Sequence, residues 1–130
     1  MTLNLLLRPA TGTFDTQAIR AHLESLPDVF IDPLGTGRYL MTGHPNMVET
    51  YREDRIEDPS CFPYVDIIDV TPEYVSIFLE HGDDDKLRSA RELLRWMIAR
   101  FEPIIEDEYG KDWTDRIRRE GVDVLYPSGL

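Results

Sequence analysis

The chain has 130 residues, 14 Lys and Arg against 25 Asp and Glu, a formal net charge of −11 and a single cysteine. That length predicts one globular domain over residues 1–130 with a core that needs no disulfide or metal, and 42% hydrophobic residues with 10% aromatics exclude a disordered chain. The acidity excludes the ordinary nucleic-acid binder, which needs a cationic footprint, and an anionic lipid surface on the same grounds.

Lone Cys61 forbids an internal disulfide and points to a reducing compartment. The apolar run at 3–7 is too short to span a membrane and lacks the flanks of a secretory signal, so the expectation is a soluble cytoplasmic protein. The basic residues are 12 Arg and two Lys, a bias that a GC-rich bacterial genome produces as readily as chemistry does.

In chain order, residues 3–8 read as an inner strand halted by Pro9 and a turn at Ala10, Thr11 and Gly12. Asp15 caps a helix from Thr16 to about Leu26, with Ile19, Leu23 and Leu26 on one stripe. Residues 29–31 and 38–42 form a hairpin around a loop of turn formers. Residues 43–63 read as an irregular acidic excursion. Within it, Asn46 and Glu49 have capping-box spacing for a short, marginal helix. A long excursion between strands commonly serves as a lid, a binding loop or a contact surface.

A second hairpin follows, 64–70 with 74–80, turning at Thr71, Pro72 and Glu73. Val75, Ile77 and Leu79 form its core face, and Tyr74, Ser76, Phe78 and Glu80 a mixed one. Asp66 and Asp69 interrupt the first strand and predict an edge or a bulge there. The longest helix opens on Asp83, Asp84 and Asp85 and carries Leu87, Ala90, Leu94, Met97, Phe101 and Ile105, with Pro103 kinking it or starting a new one. A short helix at 112–120 and a last strand at 122–125 complete the order. The fold class is α+β: a two-layer sandwich with a mainly antiparallel sheet in β-α-β-β-β-β-α order and helices on one face.

No constellation assembles a catalytic signature. Three consecutive aspartates cannot converge on one cation, and His22, His44 and His81 lack zinc spacing, so neither a metal nor another cofactor is expected. Cys61 has acidic neighbours that oppose a thiolate. Arg88, Arg91 and Arg95 share one side of the long helix, where Glu92 and Asp84 favour a solvated, ion-paired face. What stands out is regional: residues 51–80 hold two basic against eight acidic residues.

Three functional expectations follow. The first is a non-enzymatic binding module, of inhibitor or immunity type, that captures a basic protein partner. Glu53, Asp54, Glu57 and Asp58 would make its charged contacts, with Tyr51, Phe62 and Tyr64 as aromatic anchors. The alternative is a small α+β enzyme or ligand-binding domain with a pocket between sheet and helices. His44 in its loop would act as base, with Arg8 and Asp66 or Asp69 as further polar groups. The third is a homo-oligomer joined through the mixed strand face or the helix bearing Trp113.

Overall fold

Apolar alternation produces strands here wherever a partner strand can bury every second residue. The computed structural model of the protein describes residues 2–32, 35–54, 65–80 and 84–125, with the backbone alone at 2–3, 50–54 and 79–80. Its strands are β1 (Thr2–Arg8), β2 (Val29–Ile31), β3 (Tyr39–Met41), β4 (Asp66–Val70), β5 (Val75–Glu80) and β6 (Ile104–Asp107). Its helices are α1 (Thr16–Ser25), α2 (Pro45–Asp54), α3 (Asp84–Phe101) and α4 (Thr114–Glu120), followed by a 3-10 turn at Val122–Leu125. The strands form one antiparallel sheet in the order β2-β3-β4-β5-β1-β6. This is the α+β sandwich that the hairpins and amphipathic helices predict.

One face of the sheet presents Leu5, Leu7, Val29, Tyr39, Met41, Ile68, Val70, Val75, Ile77 and Ile105. Against it pack Ile19 and Leu23 of α1, Ala90, Leu93, Leu94 and Met97 of α3, Ile117 of α4, and Val122 and Leu125 of the final turn. The other face carries a smaller cluster of Phe30, Leu40, Val48 and Val65, with Ile67 packed on it. Val48 belongs to α2, so this helix lies behind β2 and β3 and the helices are not all on one face. The strand pairing requires it: Phe30, Leu40 and Ile67 are cross-strand partners pointing away from the main core, and they need their own cover.

Several local expectations are met. Asp15 Oδ1 accepts the Ala18 N–H at 3.1 Å and starts α1. The β4–β5 turn closes with the Thr71 N–H on the Tyr74 carbonyl at 2.9 Å. Gly121, at φ 89, ends α4.

Others are corrected. α2 occupies ten residues of the segment read as irregular, and it begins at Pro45 rather than after Asn46, proline being preset for a first helical position. β4 is neither an edge nor bulged; it pairs β3 on one side and β5 on the other in unbroken register. The long helix stops at Phe101. Glu102 takes φ 46, Pro103 forbids helical continuation, and β-branched Ile104 and Ile105 join β1 as the edge strand β6. The segment read as a last strand is a 3-10 turn, whose Val122 and Leu125 are buried in the core.

Candidate functional site

Of the polar residues singled out from the sequence, His44 and Asp66 come to the same corner of the molecule. There the start of α3 meets the β3–α2 turn. Asp66, at the start of β4, is on the core face opposite Met41, and its Oδ1 stands 3.0 Å from Lys86 Nζ. Both side chains are essentially buried, 1% and 2% exposed, so this is an internal ion pair in the first turns of α3. Next to it the β3–α2 turn passes so close to α3 that a Cβ on Gly43 would lie 2.5 Å from Lys86 Cα, and Gly43 holds φ +77. Only glycine satisfies both conditions.

The same turn is tied to the segment before β2. The Asp28 carbonyl accepts the Thr42 N–H at 2.9 Å, and Asp28 Oδ2 accepts the Gly43 N–H at 3.1 Å. The Thr42 hydroxyl donates to the His44 carbonyl at 2.8 Å and accepts the His44 N–H at 3.0 Å. His44 itself is half-buried, with Nδ1 3.6 Å from Asp85 Oδ2.

The other two groups lie elsewhere. Arg8, at the end of β1, forms an ion pair with Glu106 of β6 on the face away from the main core. Asp69 is on that same outer face, where Oδ1 accepts Arg38 Nε at 3.0 Å and Oδ2 accepts the Ser76 hydroxyl at 3.2 Å. Strand alternation explains the split, because Asp66 and Asp69 are three residues apart and point to opposite faces. Of the acidic segment, Glu57, Asp58, Phe62 and Tyr64 lie outside the described residues, as do Cys61 and His81. Tyr51, Glu53 and Asp54 are placed only as backbone, in the last turns of α2.

The arginine face of α3 is laced with ion pairs. Arg88 meets Asp85 at 3.1 Å, and Arg91 and Arg95 both meet Asp123 at 3.5 Å. Trp113 donates its indole N–H to Asp107 Oδ2 at 3.0 Å and lies under Lys111, whose Nζ is 4.1 Å from the ring centre. Asp107 Oδ1 also accepts the Tyr109 and Lys111 N–H groups, and the Trp113 bond above all holds its carboxyl below the usual carboxylate range. Among the described residues, no group of three His, Cys, Asp or Glu is placed to hold a metal, and no helix is long and apolar enough to cross a membrane.

Two clefts are lined by described residues. A cleft of about 310 Å3 lies between residues 9–14 and the end of α3, with Arg100, Glu102 and Arg118 on its walls. A second, of about 230 Å3, opens between α1 and α3 and is lined by His22, Leu26, Asp28, Ser89, Glu92, Leu93 and Trp96. His22 and Trp96 stack in parallel, ring centres 3.9 Å apart. Burial lowers the His22 pKa below its ordinary 6.5, which keeps the imidazole neutral at pH 7. Asp28 lies in the turn between α1 and β2, where no local periodicity marks it as part of a cleft.

Comparison with family models, with curated proteins and with solved structures finds no match to this chain.

Proposed function

We propose that the protein is a small acidic binding module, of inhibitor or immunity type, that captures a basic protein partner in the cytoplasm. The observation that carries this reading is the way the chain disposes of its cations. Seven basic residues are tied to acids within the fold: Arg8, Arg38, Lys86, Arg88, Arg91, Arg95 and Arg116. Arg20, Arg118 and Arg119 donate to backbone carbonyls. With every cation counted the chain still carries a net −11, and residues 51–80 hold eight acids against two arginines, only Asp66 and Asp69 of the eight being paired with Lys86 and Arg38 among the described residues. A concentrated anionic surface attracts a basic partner at long range and repels polyanions. The enzyme reading has less support, because Arg8, Asp66 and Asp69 already belong to three separate ion pairs.

The test is capture from the source cell's lysate at low salt, elution with salt, and kinetics with the eluted protein. Association is expected to slow steeply as salt rises. The variant E53Q/D54N/E57Q/D58N is expected to slow association about tenfold or more, with little change in dissociation. Association that ignores both salt and the four substitutions removes the reading.

A further inference from the structure

The cleft between α1 and α3 has an unusual charge content. Asp28 is only 6% exposed, yet among the described residues its carboxylate has no cation and a single hydrogen-bond donor, the Gly43 N–H on Oδ2. A carboxylate offers about four acceptor positions, and buried acids are rarely found without a compensating charge. Glu92, one α3 turn from Trp96, adds a second carboxylate to the same cleft and makes no ion pair among the described residues.

The cations of α3 are committed elsewhere: Arg88 to Asp85, Arg91 and Arg95 to Asp123. Arg100 stands 5.9 Å over the Trp96 ring but is not part of the cleft wall. His22, the one basic group lining the cleft, is neutral at pH 7 because burial lowers its pKa. Two acids with no opposing cation among the described residues, in an aromatic and aliphatic wall of Trp96, His22, Leu26 and Leu93, make a receptor for organic cations. The wall limits solvent screening and strengthens the attraction. The volume of about 230 Å3 is below the usual range of about 300–1,000 Å3 for drug-sized ligands and suits one side chain or a small amine.

We infer that this cleft binds an alkylguanidinium group, Asp28 accepting from it at the buried end and Glu92 at the rim. Guanidinium is favoured over ammonium because its planar fork pairs two donors with one carboxylate and packs on aromatic rings. If the guanidinium is an arginine of a basic partner, the inference extends the function proposed above; as a chemical statement about the cleft it stands apart from the acidic segment at 51–64.

The experiment is an NMR titration of the full chain, following the Trp96 indole N–H and the amides of Asp28 and Ser89. Its probes are a capped Gly-Arg-Gly peptide, agmatine, and the same peptide with citrulline in place of arginine. Saturable shifts are expected with a guanidinium probe, with a dissociation constant on the order of 1 mM, and none with citrulline. Tighter binding of the peptide assigns a protein source, and tighter binding of agmatine a small-molecule source.

Asp28→Asn, which keeps an acceptor for the Gly43 N–H, is expected to weaken binding about tenfold. Glu92→Gln, at an exposed position with no fold to disturb, is expected to weaken it about threefold. Equal shifts with citrulline, no shift with either guanidinium, or full affinity in both variants would overturn the inference. Because no partner protein is used, its failure leaves the salt-dependent capture test untouched, and the converse also holds.

Discussion

At the scale of single residues, the Lys86–Asp66 pair is the most exacting feature of the fold. Removing two charges from water costs several kcal/mol each, and the pair is tolerable only because Nζ and Oδ1 sit 3.0 Å apart. Lys86→Met would leave Asp66 buried without its cation and is expected to cost about 3–5 kcal/mol in urea unfolding. The double variant D66L/K86M removes both charges and is expected to recover most of that loss. If the single variant were as stable as the parent, the pair would have no energetic role. Sequence reading reached only half of this feature. Asp66 was visible as a polar residue inside an apolar strand and suggested an edge, whereas its partner lies 20 positions later and a sequence spacing of that length carries no periodic signal. Gly43 illustrates the same limit, since its need for glycine arises from a contact with α3 that no local pattern encodes.

At the scale of elements, what could be read depended on whether a local rule was opposed by a tertiary one. α1 was legible because the Asp15 cap, the Ile19–Leu23 stripe and Pro27 all agree. The β4–β5 hairpin was legible because alternation and its Pro72 turn agree. β6 was not, because Ile105 also continues the helical stripe of α3, and the period alone cannot distinguish the two states. Glu102 decides the matter by adopting φ 46 and reversing the chain, and its carbonyl receives Arg118 at 3.4 Å.

A left-handed conformation at a residue with a Cβ costs roughly 1–2 kcal/mol. Glycine relieves that cost but has more unfolded-state entropy to lose. Glu102→Gly is therefore expected to stabilise the protein by about 0.5 kcal/mol, a gain of a few degrees in thermal unfolding. A lower midpoint would mean that the glutamate side chain contributes more than its backbone strain removes.

At the scale of the whole molecule, the net charge of −11 governs how stability responds to pH and salt, and two sets of groups give the response opposite ends. The His22 pKa lies below its ordinary 6.5 because burial against Trp96 penalises the charged ring. The unfolded chain then binds this proton more readily than the folded one. Its contribution is complete above about pH 6.5 and is lost as pH falls to the folded value. Asp107 and Asp112 are shifted the same way for the opposite reason: hydrogen bonds, chiefly from the Trp113 indole and from Thr114, favour their ionised forms. Their contribution is complete above the ordinary carboxylate value of 3.8 and is lost only as pH falls below it.

Urea midpoints measured from pH 8 to pH 3 should therefore fall in two separable limbs. His22→Gln is expected to flatten the limb that begins as pH falls below about 6.5. Asp107→Asn is expected to flatten the limb below 3.8 while lowering stability at pH 7, since a neutral amide cannot serve the Trp113, Tyr109 and Lys111 donors as well. Added salt screens the self-repulsion of an acidic fold and should raise the midpoints at pH 7. A His22→Gln profile that superimposes on the parent's would show that the upper limb belongs to another group.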